Sequence, residues 1–233
     1  MPSLRRKADP SLHADPADWR PQAYGRKGPR VIGDAIIEPK WGGVRVIVRV
    51  GPGSGGARTV SVSDEDGFDA TEEFADLARA IAAAALSDDL VVDGYFTVEP
   101  TQETVGADMT VVETPTQGQL IAQLVAGSRG RPREAKRKLD PDRPIAFVAV
   151  DLLWVDGSSL IELPLLERKR LLDAALTVNN LVRITPYVRP PIGSLAITWH
   201  AQGFREVAFK PANGRYHPTG EPGDWAVAPI RSR

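Results

Sequence analysis

Glu38-Pro39-Lys40-Trp41-Gly42-Gly43-Val44-Arg45-Val46-Ile47-Val48 is the stretch on which the reading of this chain turns. It sets a lysine at the edge of a strand, beside two glycines, with an arginine just beyond. Glycines let backbone come close to a ligand, and a guanidinium forks onto phosphate or carboxylate oxygens. These residue types suit a lysine held against the phosphate of a small molecule. A solvated strand-edge lysine is the alternative reading. Val44, Val46, Val48 and Val50 alternate with Arg45, Ile47 and Arg49, the two-residue period of a strand with one more polar face.

Outward from this stretch the chain alternates short strands and helices. Gly51 to Gly56 is a flexible hairpin connection, and Arg58 to Ser63 is the returning strand. Asp69 with Glu72 resembles a helix start, followed by Phe74, Leu77, Ala78, Ile81 and Leu86. Leu90-Val91-Val92 and Phe96-Thr97-Val98 flank Asp93-Gly94 as a strand pair or one bent strand. Thr116 and Gln119 fit a capping box for a helix carrying Leu120, Ile121, Leu124 and Val125. Ile145 to Val155 is the most hydrophobic run, ends in Asp156-Gly157, and reads as a central buried strand. Leu163 to Leu176 is a helix with Pro164 in its first turn. Val182 to Val188 is a strand, and Ser194 to Gln202 a helix closed by Gly203. Arg205 to Phe209 and Asp224 to Val227 are the final strands. Strands outnumber helices and fall in hairpin-like pairs. The expected class is α+β, with antiparallel sheets flanked by helices. Residues 1–30 read as an irregular lead-in, with a short ordered piece at Trp19 to Tyr24, and 31–233 as the folded domain.

Composition narrows the function. The chain has 233 residues, enough for a sizeable core, and a formal net charge of −1. It is therefore no general electrostatic sink for nucleic acid, and any such contact needs a local basic patch. The dense basic run is Arg129, Arg131, Arg133, Lys136, Arg137 and Lys138. It reads either as a solvated loop or as a contact to a phosphate backbone. No aromatic residue interleaves it, which argues against base stacking. Cysteine is absent, excluding disulfides and thiolate chemistry. His13, His200 and His217 have no metal-ligand spacing. No apolar run approaches membrane-spanning length and no secretory signal is present, so a cytoplasmic protein without a membrane partner is expected.

Taken in order, several segments resemble the adenylation domain of an ATP-dependent DNA ligase, a member of the covalent nucleotidyltransferase superfamily. They are Glu38 to Arg45, Leu90-Val91-Val92-Asp93-Gly94, Phe147 to Gly157, Leu163 to Lys169, Gly203 to Lys210, and Tyr216 to Trp225. The resemblance covers roughly residues 19–229. It implies a ligase-type nucleotidyltransferase fold, a role in DNA repair or recombination, ATP as cofactor with Mg2+ or Mn2+ where the site is active, and DNA as partner. It also implies the chemistry. A lysine attacks the α-phosphate of ATP to form lysyl-AMP, and the AMP then passes to a 5′-phosphate at a nick. Lys40 occupies the nucleophile position. Arg45 matches the arginine of the same motif, Lys210 a lysine near the α-phosphate, and Glu38 the position where the family places adenine-side backbone contacts. Arg129, Arg131, Arg133, Lys136 and Arg137 are the candidate DNA contacts.

The chain departs from the family pattern where the chemistry lies. Gly42 replaces an aspartate. Tyr95 stands in place of a glutamate associated with ribose and metal, and Val150 in place of the aromatic that stacks on adenine. Arg205 replaces a metal-associated glutamate, with Glu206 one residue away. Val227 and Pro229 replace two lysines, and Asp64 replaces an arginine. No oligonucleotide-binding barrel is expected after the last motif. Two functions follow. One is a ligase of reduced or lost activity, in effect a pseudoenzyme. The other is a catalytically silent module that binds nucleic acid, a nucleotide or a repair partner.

Overall fold

The computed structural model describes residues 15–26, 28–98 and 144–230. Two sheets make up its frame. The smaller has the order β1-β8-β9, from Ala35–Pro39, Glu206–Pro211 and Ala226–Pro229, all antiparallel. The larger runs β3-β2-β4-β5, from Arg58–Asp64, Val44–Pro52, Leu90–Thr97 and Ala146–Val155, again antiparallel. The far edge of β5 carries β6 (Ser158–Ser159) and β7 (Val182–Ile184). The α+β class and the antiparallel sheets are as the sequence leads one to expect, except that β7 joins β5 in parallel.

The alternation in β2 and β4 divides the interior. Val44, Val46, Val48 and Val50 face one side with Leu90, Val92 and Phe96, against Phe74, Leu77 and Ile81. Those last residues belong to a one-turn helix at Glu72–Phe74 and to α1, Ala75–Ala84. The opposite face of the large sheet presents Ile47, Val91 and Leu153 to Trp19, Tyr216 and Trp225. It also presents Tyr95, Val148 and Val150 to Ile37, Trp41, Trp199 and Val207. Here lies the polar side of β2, with Arg45 toward the small sheet's side and Arg49 donating to the Pro16, Ala17 and Trp19 carbonyls.

β1 and β2 are consecutive strands in different sheets, and Lys40 to Gly43 carries the chain across. The crossing requires Gly43, whose φ is 91°. A Cβ there would also lie 2.1 Å from the Phe96 carbonyl oxygen.

Three local readings change. Val182 to Val188 is not one strand. β7 stops at Ile184 and Val188 instead bridges Ile37 of β1, because Pro186 cannot donate to a ladder. Asp69 does not cap a helix with Glu72; its carboxylate accepts from the Thr71 N–H at 2.9 Å and the Thr71 hydroxyl at 2.5 Å, tightening a turn before α1. β4 is one strand whose pairing with β5 slips after Val91 and after Asp93, so β5 bulges at Leu153 and Val150. The remaining helices are α2, Leu165–Ala175, with Pro164 at its N-cap, and α3, Gly193–Ala201, ended by Gly203 at φ 100°. The expected helix from Thr116 to Val125 and the basic run from Arg129 to Lys138 lie outside the described residues.

Candidate active site

Lys40 stands at the joint between the sheets, half-buried. Its N–H donates to the Glu206 carbonyl at 3.0 Å, extending the β1–β8 ladder by one rung. Its ammonium donates to the Trp41 carbonyl at 3.1 Å. It also lies over two aromatic faces, 5.3 Å from the centre of the Tyr24 ring and 5.2 Å from that of Tyr95. Both distances are within cation–π range. The two phenol oxygens are 3.3 Å apart, so the rings meet beside the lysine. Burial, chiefly, raises the Tyr24 phenol well above its ordinary range, with Tyr95 adding to it, so Tyr24 is a neutral wall.

Arg45 enters the same space from β2. Its guanidinium forks onto Asp93 of β4 at 2.7 and 2.5 Å. The Tyr216 hydroxyl donates to the same carboxylate at 2.8 Å. The guanidinium carbon also lies 5.6, 5.3 and 5.2 Å from the ring centres of Tyr24, Tyr95 and Trp225. Burial alone would lower the pKa of Arg45, but Asp93 reverses this and holds the guanidinium charged. The arginine therefore has an acidic partner within the protein and aromatic rings around it.

The Glu38 side chain of β1 turns into the protein. It is buried between two lysines, 2.5 Å from Lys169 of α2 and 2.7 Å from Lys210 of β8. Both are close, buried ion pairs. Burial pushes the Glu38 carboxyl up, and the two ammonium groups more than offset that, leaving it below the usual glutamate range. Burial pulls Lys169 below the usual lysine range, Glu38 only partly restoring it. Lys210 has its ammonium 4.1 Å from the centre of the Trp225 ring, the shortest cation–ring distance at the site. Across the site stand four cations, Lys40, Arg45, Lys169 and Lys210, and two carboxylates, Glu38 and Asp93. The carboxylates are wholly occupied.

The replaced motif positions have structural work. Asp64 turns the chain by accepting from the Asp66 and Phe68 N–H groups at 3.0 and 2.8 Å. Val150 is core beside Trp41 and Tyr95. Arg205 and Glu206 are exposed at the start of β8. Glu206 is four residues before Lys210, roughly 13 Å along the strand. Trp41 is a core residue, its indole N–H donating to the Thr185 hydroxyl at 2.8 Å.

These residues do not fit a divalent metal. Among the described residues no three His, Cys, Asp or Glu side chains stand together as a ligand set. Nucleotide phosphates would have to compete with Asp93 for Arg45 and with Glu38 for Lys210. No stacking ring precedes Asp151.

The fold and motif order define a nucleotidyltransferase-type domain. A family model described as "ATP dependent DNA ligase domain" matches residues 29–189, and the chain belongs to that family. It is 28% identical over 190 residues to the multifunctional non-homologous end joining protein LigD of Mycobacterium bovis. It has the same identity to the multifunctional non-homologous end joining DNA repair protein LigD of Mycobacterium tuberculosis. Each match covers 81% of this chain and 21% of the relative, so the chain spans about a fifth of their length. The ligase domain of M. tuberculosis LigD superposes with a TM-score of 0.64 at 21% identity, over 92% of this chain and 60% of that one. A mycobacterial DNA ligase D complexed with ATP and MES gives 0.61 at 21% identity, over 92% and 61%. These superpositions support the same fold.

Sequence reasoning gathers Glu38, Lys40, Arg45 and Lys210, and the fold brings all four into one cleft. It misses Tyr24 and Lys169. Lys169 leaves a signal. Leu165, Arg168, Lys169 and Leu172 fall on one helical stripe, where a charged residue implies a buried partner. Tyr24 leaves none, because its position depends on contacts with residues almost two hundred positions away. Among the described residues no helix is long and apolar enough to cross a membrane.

Proposed function

We propose that this chain is a ligase-like domain of DNA repair whose adenylyl-transfer chemistry is lost or strongly reduced, and which serves as a DNA-binding or repair-partner module. The observation that carries the reading is the pairing of the site's cations with groups of the protein itself. Arg45 is forked onto Asp93, and Lys210 is held by Glu38. Lys40 faces Tyr24 and Tyr95 rather than a carboxylate.

Nucleophilic attack by Lys40 on a phosphate needs charge on the phosphate oxygens offset at the transition state. One such preorganised group is commonly worth about 3 kcal/mol. The positions where the family supplies acidic residues for metal hold Tyr95 and Arg205. Replacing several groups that act together removes most of the rate. The family and the LigD relatives support DNA as the partner class. The run Arg129, Arg131, Arg133, Lys136 and Arg137 is the proposed phosphate contact.

Nick sealing and nick binding test this together. The chain is mixed with a nicked duplex carrying a 5′-phosphate, with ATP and Mg2+ or Mn2+. Retention of the duplex that is independent of ATP and falls steeply with salt, without sealing, is the expected result. Sealing that disappears in Lys40→Ala overturns the reading. Absence of DNA binding leaves the partner-protein role alone.

A further inference from the structure

We infer that residues 20–26 form a displaceable cover over Lys40 and Arg45, with Tyr24 as the pocket's internal occupant. This rests on the reading of the pocket as non-adenylating and concerns what closes it. Tyr24 touches both cations and meets Tyr95 through its hydroxyl. It also packs on Trp225 at 5.9 Å between ring centres. One side chain thus lies against two of the site's cations and two of its rings.

The chain just before the cover is anchored on the large sheet, where Arg49 donates to the Pro16, Ala17 and Trp19 carbonyls and Trp19 is buried against Ile47, Val91 and Leu153. The part from Arg20 to Gly25 is tied instead to the loop from Tyr216 to Trp225. Arg20 and Ala23 bridge Thr219 and Pro222 in parallel. The Gly25 N–H donates to the Trp225 carbonyl at 2.7 Å. The Gln22 N–H donates to the Tyr216 hydroxyl at 3.0 Å, and the Gln22 side-chain carbonyl accepts from the His217 N–H at 2.9 Å. The two segments approach so closely that Gly25 has no room for a Cβ against backbone, and a Cβ on Gly223 would have to push the Gln22 side chain aside. A Cβ on Gly25 would lie 2.4 Å from the Gly223 carbonyl oxygen, and one on Gly223 would lie 2.0 Å from the Gln22 amide nitrogen.

The closed state is imperfectly satisfied. Trp19 Nε1, Gln22 Nε2 and Trp225 Nε1 are buried without an acceptor. A buried unpaired donor carries a desolvation penalty that water relieves on opening. Three such donors along one seam favour local opening of this seam over opening of the strands beneath it. Opening would free the Lys40 ammonium from the Tyr24 face and uncover Arg45 and Trp225. The cover is therefore a closing contact over the two cations, positioned to lift when a partner engages residues 20–26 or the 216–225 loop.

Two measurements test it without ATP. N-hydroxysuccinimidyl acetate transfers its acetyl group to a free amine with release of N-hydroxysuccinimide, and peptide mapping reads Lys40 acetylation. Buried Lys169 serves as the reference for an intact fold. Tyr24→Ala and Gly223→Val are expected to raise Lys40 acetylation roughly two- to thirtyfold, the span of one cation–π contact from exposed to desolvated, with Lys169 still protected. Tyr24→Phe, which keeps the ring, is expected to behave as wild type. In the wild-type chain, hydrogen exchange at Ala23 and Gly25 is expected to be faster than at Val46 and Val92. Unchanged Lys40 acetylation in both opening variants with Lys169 protected, or exchange at Gly25 as slow as at Val92, overturns the inference. Adenylation by the wild-type chain would instead overturn the reading beneath it.

Discussion

Asp93 and Asp151 stand directly opposite each other on β4 and β5, both fully buried. Like charges at paired strand positions repel, and each is neutralised by its own forked arginine. Asp93 has Arg45, and Asp151 has Arg168 at 2.9 and 2.8 Å. Arg168 also donates to the carbonyls of Leu163 and Gly214, tying α2 to the loop that follows β8. The two pairs lie side by side at the centre of the large sheet. Removing one member leaves a buried charge beside another of the same sign.

Arg45→Met is therefore expected to cost about 3–5 kcal/mol, the usual range for a broken buried pair. The double variant Arg45→Met with Asp93→Leu, which removes both charges, is expected to recover most of that loss. Urea unfolding of the single and double variants measures the difference. Equal stabilities for the two would show that the pair is not the source of the cost.

The cluster around Glu38 predicts an asymmetry between its members. Glu38→Gln leaves two buried ammonium groups without an acid and is expected to cost about 3–5 kcal/mol. Lys169→Met leaves a one-to-one pair between Glu38 and Lys210 and is expected to cost less than about 1.5 kcal/mol. Thermal unfolding of the two variants orders them. The reverse order would contradict the assignment of Glu38 as the shared partner.

The same cluster sets a pH dependence. Glu38 titrates lower in the folded than in the unfolded chain. Between its folded value and about 4.5 the unfolded state binds more protons, so stability rises with pH there and is lost as pH falls. Lys169 is also lowered, so stability rises again through the window below its unfolded value near 10.5. Stability measured against pH in Glu38→Gln is expected to show a shallower acid limb than wild type. An unchanged acid limb would assign that loss to other carboxylates.

Gly43→Ala tests the crossing between the sheets. It places a Cβ against the Phe96 carbonyl at a φ that L-residues avoid. A loss of about 2 kcal/mol or more is expected, with the Trp41 environment disturbed in near-ultraviolet circular dichroism. A neutral effect would mean that the crossing relaxes freely.

For DNA, replacing Arg129, Arg131, Arg133, Lys136 and Arg137 by alanine is expected to weaken binding to nicked duplex. The salt slope is expected to fall by about 0.9 for each phosphate that the variant no longer neutralises. Binding and slope unchanged from wild type would remove this run from the interface.

Much of the fold is legible in the sequence because it is written in short-range pattern. The alternation from Val44 to Val50 marks both the strand and its site-facing side. The Asp156-Gly157 step marks the β5–β6 hairpin, with φ of 46° and 78° there. The motif order places Lys40, Arg45 and Lys210 together. What pattern does not carry is partner choice. Nothing near Glu38 in the chain says that its side chain will hold Lys169 and Lys210. Ala35 to Val50 reads as one apolar stretch, yet it divides between two sheets at Lys40 to Gly43. The placement of Tyr24 over Lys40 depends on the close fit of Gly25 and Gly223, a contact across the whole chain.

The most direct test of the central claim is covalent labelling with α-labelled ATP. The purified wild-type chain and Lys40→Ala are incubated with the nucleotide and Mg2+ or Mn2+, then resolved on a denaturing gel. With the site's cations paired internally, no label, or only a trace, is retained by either protein under either metal. Strong label retained by wild type and absent from Lys40→Ala would contradict the account.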